Sequence, residues 1–318
     1  MIPALIIIIC FIAIIMFIRN TTFVCYYLSQ AIRRRKQMKG YNDSYDSFED
    51  YFQWQVKSTA ALLEKTASRM NLSGKMVVEV GCGYGGRTPF LISNKGAKHV
   101  IATEINPRAL EIAEKYIKKY FPSEAASINF RISNGGIAAE DEQADAIVII
   151  DVFEHLNDPE QMLSECYRVL KPGGMLYFGT IGWYHHEASH ITSTIPIPWC
   201  QVFFTDRVLI KCIRLIQRSN TYVQSVWDKD SNVKDRWDGV TDLRNRPGEY
   251  LNKITIHDIK CFCRKSQFEI QEFNIFGYGG RTHKFSRILA PLTKIPLLNE
   301  IFHSYIFVTL QKPTSKPI

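Results

Sequence analysis

Val77-Val78-Glu79-Val80-Gly81-Cys82-Gly83-Tyr84-Gly85-Gly86 is the stretch on which the reading of this chain turns. Valines around a single acid read as a short buried strand, and the glycines that follow read as a tight turn into a helix. Glycine at such a turn lets the backbone approach a ligand at the carboxyl end of the strand. Gly81, Gly83 and Gly86 also satisfy the GxGxxG spacing of dinucleotide-binding proteins. A plain strand-helix turn would use the same residues, so the loop alone leaves the ligand open.

Outward from the loop the chain alternates between strand and helix. Residues 87–94 read as a helix despite Pro89, 99–104 as a strand, and 107–120 as a helix with Asn106 as its cap and Pro107 in the first turn. Strands follow at 128–132 and 146–150, then a helix at 159–170 stopped by Lys171-Pro172-Gly173-Gly174, then a strand at 175–180. This rhythm predicts an α/β, doubly wound fold with a parallel sheet covered by helices on both faces. Upstream, 48–70 reads as a helix with an apolar stripe through Tyr51, Trp54, Val56, Ala60, Leu63 and Ala67. Downstream the alternation lapses over about 183–251, which reads as an insertion covering the binding edge of the sheet. It resumes with a helix at 255–265 and two strands, 268–276 and 305–311, expected to pair at the sheet edge.

Two carboxylates narrow the choice of ligand. Glu104 ends the second strand about 21 residues beyond Gly83, where an acid takes a ribose diol through two hydrogen bonds. Glu79 precedes the glycines and is placed to receive the ammonium group of an amino-acid ligand, directly or through water. A dinucleotide would put its pyrophosphate there, against a like charge. The difference favours S-adenosylmethionine over NAD.

Residues 78–85 resemble the first motif of class I S-adenosylmethionine-dependent methyltransferases. Asp151-Val152-Phe153-Glu154-His155-Leu156-Asn157-Asp158-Pro159 resembles the segment after the fourth strand in the branch that includes quinone-biosynthesis methyltransferases. Arg168-Val169-Leu170-Lys171-Pro172-Gly173-Gly174 is similar to that branch's lead-in to strand five. The resemblance is close over 48–180 and holds in outline over 252–311. It implies the Rossmann-like methyltransferase fold, a mostly parallel seven-stranded sheet with an antiparallel last strand. It further implies that Gly81, Cys82, Gly83 and Gly85 form the cofactor loop, that Glu79 sits by the methionine ammonium, and that Glu104 holds the ribose hydroxyls with Ile105 flanking the adenine. Asn134 stands where relatives often have Asp, and its carbonyl oxygen accepts the same bond from the adenine amino group. Asp151 lies near the transferring methyl, or caps and braces the turn.

An oxygen acceptor needs its proton removed, and His155 is the candidate base, with a loop-orienting histidine as the alternative. His185, His186, Glu187 and His190 match no standard metal spacing, and the scattered cysteines form no paired CxxC motifs, so no metal is expected. Trp183, Tyr184, Trp199, Phe203, Phe204, Trp227 and Trp237 either line an acceptor pocket or build the insertion's own core. Arg281 and Lys284 are candidates to meet an anionic substrate or headgroup, or form a solvated face.

Residues 2–18 are an uncharged apolar run, at the lower limit for a membrane-spanning helix. No positive segment precedes them and no small-residue cleavage site follows, so an uncleaved anchor is expected rather than a signal peptide. The block Arg33-Arg34-Arg35-Lys36 follows, and the positive-inside rule then places the remainder in the cytoplasm, with anionic lipid attracting the block. The expected organisation is an anchor over 1–28, a basic linker over 29–47 and a methyltransferase domain over 48–318. The chain has 318 residues, 46% hydrophobic, with a formal charge of +8, which suits a globular domain; the basic block beside an apolar run favours membrane over nucleic acid. The expected partner is a small or membrane-associated acceptor such as a quinol or lipid-linked glycan. An NAD-dependent oxidoreductase and a non-catalytic cofactor-binding scaffold are the alternatives, and oligomeric state leaves no mark in the sequence.

Overall fold

The structure, a computed structural model, describes residues 2–35, 45–219, 222, 226, 237–248, 250–277 and 289–314, with side chains at all of these except 2–9 and 35. The chain divides into two compact units: Met1–Asp46 with Trp183–Leu251, and Ser47–Gly182 with Asn252–Ile318. In chain order the helices are α1 (Ile2–Asn20), α2 (Thr22–Arg35), α3 (Phe48–Thr66), α4 (Thr88–Ser93), α5 (Pro107–Tyr120), α6 (Pro122–Ala125) and α7 (Pro159–Val169). They continue with α8 (Cys200–Phe203), α9 (Asp206–Gln217), α10 (Ile256–Lys265) and α11 (Leu298–Phe302). The strands are β1 (Met76–Val80), β2 (His99–Glu104), β3 (Ile128–Ile132), β4 (Ala144–Ile150), β5 (Leu170–Thr180), β6 (Glu269–Gly277) and β7 (His303–Gln311).

All seven strands belong to the second unit and form one sheet in the order β3-β2-β1-β4-β5-β7-β6. The first five pair in parallel, and β7 runs antiparallel to both of its neighbours, as the family resemblance implies. Side chains alternate across a strand, so each strand feeds two cores. Val78, Ile147, Ile149, Leu176, Phe178, Ile306 and Val308 pack on one face. Val77, Ala146, Val148, Tyr177 and Phe307 pack on the other. Burial on both faces explains why the central strands read as unbroken apolar runs. The strand order reverses between β1 and β4, which opens a crevice at their carboxyl ends.

Local chemistry fixes most helix starts. Asn106 Oδ1 accepts from the Arg108 and Ala109 amides, Asp158 Oδ1 accepts from Gln161, and Thr255 with Asp258 forms a reciprocal capping box. Two boundaries differ from the sequence expectation by more than two residues. α3 stops at Thr66, with the Ala67 amide closing it onto Leu63 O. β5 begins at Leu170, because Leu170 pairs with Ala144 and Met175 with Ala146, so the Lys171-to-Gly174 segment read as a stop is carried within the strand as an irregularity between those two pairs.

In the other unit the expected single helix over 1–28 is two helices. Asn20 Nδ2 donates to Met16 O at 2.9 Å and Thr21 Oγ1 to Phe17 O at 2.5 Å. These side chains compete for carbonyls that a continuing helix would offer to backbone donors, and α1 ends there. Among the described residues no single helix is long and apolar enough to cross a membrane; Cys10–Asn20 and Thr22–Arg34 meet the criterion only as a pair, bent by 70°. α2 packs with α9 around Cys25, Leu209, Cys212, Ile213 and Ile216. Arg33, expected at lipid headgroups, is instead 4% exposed and donates from Nη1 to Ser193 O and Thr194 O. Its charge is spent on carbonyls of the insertion. Phe204 and Trp237 are buried in the same core, so part of the insertion's aromatic set builds its own interior. Trp227, Arg281 and Lys284 lie outside the described residues.

Candidate functional site

The glycine loop is tied to β2 by its first two amides: Gly81 N and Cys82 N both donate to Thr103 O, at 2.8 and 3.0 Å. A Cβ on Gly81 would stand 2.5 Å from the Val152 side chain, one on Gly85 2.7 Å from Ala113 Cβ, and one on Gly86 2.5 Å from Gln55 Cβ. Those glycines serve packing. Gly83 shares the left-handed backbone of Gly81 and Gly85, at φ +55°, but differs in that a Cβ there would meet nothing within 4 Å. Its open side leaves the backbone accessible to a ligand. Gly86→Ala is therefore expected to lose about 1–3 kcal/mol of stability by pushing α3 away, whereas Gly83→Ala costs only about 1 kcal/mol of backbone strain but blocks the ligand. Denaturant unfolding beside cofactor calorimetry separates the two effects.

Glu104 Oε2 accepts from Gly83 N at 2.8 Å, and Oε1 accepts from Ile105 N and Asn106 N at 2.9 and 3.0 Å. A carboxylate offers about four acceptor positions, so roughly one remains for a sugar hydroxyl. The expected pair of ribose bonds would displace a backbone donor. Ile105, next in the chain, leaves an aliphatic side chain 75% exposed, an apolar shelf beside that carboxylate. Asn134 is exposed on the turn after β3, next to Gly135, whose absent Cβ also faces open space.

Glu79 is 5% exposed and accepts from Thr88 Oγ1 at 2.6 Å. Burial pushes its carboxyl up to about 7, with Thr88 and the Arg87 charge pulling back and Glu104 adding to the rise. Cys82 contributes backbone rather than thiol: its side chain is buried, and burial raises the thiol well above its ordinary value.

Asp151 is held, not free. It adopts a left-handed backbone at φ +54°, its amide donates to Gly179 O, and its carboxylate is shared between Arg87 Nη2 and the Tyr305 hydroxyl, the latter at 2.9 Å. Arg87 Nη1 also donates to Ile150 O. Gly179 is required here because a Cβ would strike the Tyr305 ring and hydroxyl. His155 ends a 3-10 turn, Phe153–His155, that follows directly, and is half-buried. Sequence reasoning missed Arg87 and Tyr305. It also missed an aromatic wall beside the loop, in which Phe48 stacks on Tyr84 at 4.8 Å and Tyr51 meets Tyr84 edge-on at 5.6 Å. In the insertion, His185 and His186 lie with ring centroids 4.1 Å apart, and His185 Nδ1 accepts from Glu187 N, which orders their own loop.

Residues 78–178 match the family described as a methyltransferase domain. That span holds the loop, both carboxylates, Asp151 and His155. The chain is 32% identical over 115 residues to a ubiquinone biosynthesis O-methyltransferase of Pseudomonas fluorescens, covering 36% of this chain and 47% of the relative. It is 31% identical over 123 residues to the protein of the same name from Coxiella burnetii, covering 37% and 49%. The matches thus span about half the length of those relatives. A solved S-adenosylmethionine-dependent methyltransferase from Methanosarcina mazei aligns at TM-score 0.47 with 18% identity, over 78% of this chain and 97% of that one. The open glycine, the apolar shelf at Ile105, the partly used Glu104 carboxylate and the buried Glu79 fit a nucleoside that carries a cationic amino-acid tail.

Proposed function

We propose that this chain is an S-adenosylmethionine-dependent methyltransferase that methylates an oxygen of a small or membrane-associated acceptor, such as a quinol or lipid-linked glycan. The reading is carried by one observation: Gly83, its amide bonded to Glu104, leaves open space on its Cβ side within a segment that matches a methyltransferase domain. The bound sulfonium supplies an activated methyl group, so the work left to the protein is alignment and exclusion of water. Glu104 receives a ribose hydroxyl while its remaining bonds hold the loop in register. Glu79 prefers a cationic ammonium and disfavours pyrophosphate, which separates this reading from a nicotinamide enzyme. Asp151 is braced by Arg87 and Tyr305 and orients the turn after β4, which leaves His155 as the group to take the acceptor's proton. The quinol class is supported by the names of the relatives.

Attachment to a membrane through α1, with the catalytic unit on the cytoplasmic side, belongs to the same proposal. It is supported by the exposed apolar side chains Phe11, Ile12, Ile14, Met16 and Phe17. Calorimetry on the full chain is expected to find tight binding of S-adenosylmethionine and its demethylated product and none of NAD. Labelled cofactor with membrane extract is expected to mark an extractable small molecule or lipid. Binding of NAD alone would overturn the cofactor, and label confined to protein or nucleic acid would overturn the acceptor.

A further inference from the structure

We propose that α9, within the insertion, rests on an anionic bilayer surface with its basic face among the headgroups. α9 buries Val208, Leu209, Ile210, Cys212, Ile213 and Ile216. Its exposed positions are Arg207, Lys211 and Leu215, with Arg218 just beyond, spaced by four, four and three and so lying along one face. The only acid in the helix, Asp206, is turned to capping, accepting from Leu243 N at 3.0 Å. Asp238 approaches Arg214 and Arg218, at 3.6 and 3.7 Å, while Arg207 and Lys211 place two further cations on the exposed face.

The helix packed alongside meets solvent largely through apolar side chains, with Arg34 also exposed near its end. α2 exposes Phe23 (67%), Tyr27 and Leu28, and Phe203 (55%) stands exposed just before α9. Arg19 joins these parts: its Nη1 donates to Val202 O at 2.8 Å and its carbonyl accepts from Thr205 N. Aromatic and aliphatic side chains next to cations are the pattern of a helix lying in a membrane interface. The sign of the charge selects anionic lipid, and a second copy of this chain would oppose cation with cation. The inference rests on the membrane attachment proposed above and gives α9 a share of the electrostatic part beside exposed Arg34, since Arg33 is consumed in the interior.

The test is amine footprinting of the full chain reconstituted in neutral phosphatidylcholine vesicles and in vesicles containing phosphatidylglycerol. A water-soluble acylating reagent is expected to modify Lys211 about fivefold more slowly in the anionic vesicles, with exposed Lys118 of the catalytic unit unchanged. Salt at roughly 0.5 M is expected to remove the difference, as is the variant Arg207→Glu with Arg218→Glu, which keeps cofactor affinity. Equal Lys211 rates in both vesicles overturn the α9 proposal and leave attachment by α1 standing. A chain that floats with neither vesicle overturns both. Protection of Lys211 by duplex DNA and not by anionic lipid overturns it in favour of nucleic acid.

Discussion

Glu79→Gln is expected to stabilise the protein at pH 8 by about 3 kcal/mol and to weaken its hold on the cofactor by one to two orders of magnitude. The Glu79 carboxyl is raised, first by burial, from an ordinary 4.5 to about 7. Between those values the folded chain binds a proton that the unfolded chain has released. Stability therefore falls as pH rises through that window, and the full penalty applies above 7. Glutamine keeps the shape and still accepts from Thr88, without a charge to bury. The gain should vanish well below pH 4.5, where the carboxyl is neutral in both states. Urea unfolding of both proteins at pH 5 and pH 8 reads the first effect. Equal stability differences at the two pH values would sink the argument. Calorimetry reads the second effect, and binding by the native protein should strengthen as pH rises towards 7, because the ammonium group requires the ionised carboxylate. A residue that costs stability until its ligand arrives is best understood as part of a binding site.

The sheet was legible because its strands are buried on both faces and its turns are marked by glycine. The run from Ala146 to Ile150 has no polar residue to place it otherwise, and Asn106-Pro107 announces its helix by local chemistry alone. That Glu79, Glu104 and the glycine loop lie together was legible for the same reason, since they are neighbours along the chain or across one strand pair. What was hidden depends on distant partners. Asp151 meets Arg87 across 64 positions and Tyr305 across 154, and no pattern around Asp151 reveals that both its oxygens are taken. The N-terminal segment was legible in part. Residues 2–18 lie in one helix, α1, as their apolar run suggests, but the segment expected to continue to 28 breaks at two particular side chains, Asn20 and Thr21, that turn back on their own helix. The burial of Arg33 depends on Ser193, 160 positions away.

Asp151→Ala is expected to cost about 4 kcal/mol, and Asp151→Asn only about 1–2 kcal/mol. Alanine fails twice. It leaves the Arg87 guanidinium, whose side chain is only 17% exposed, without its anion, and it places an ordinary side chain at φ +54°. Asparagine tolerates the left-handed region and keeps a carbonyl oxygen for Tyr305 or Arg87. The same pair of variants separates bracing from proton transfer. If Asp151 took the acceptor's proton, the asparagine variant would be stable, would bind cofactor and would be inactive. If it braces the turn, that variant retains both cofactor affinity and turnover within severalfold, whereas the alanine variant loses stability and binding together. His155→Gln then becomes the decisive comparison: if His155, at the end of the 3-10 turn, takes the acceptor's proton, this variant binds cofactor and shows a marked fall in turnover. Thermal unfolding, cofactor calorimetry and methyl transfer measured on all three variants assign the two roles, because no single residue satisfies both patterns.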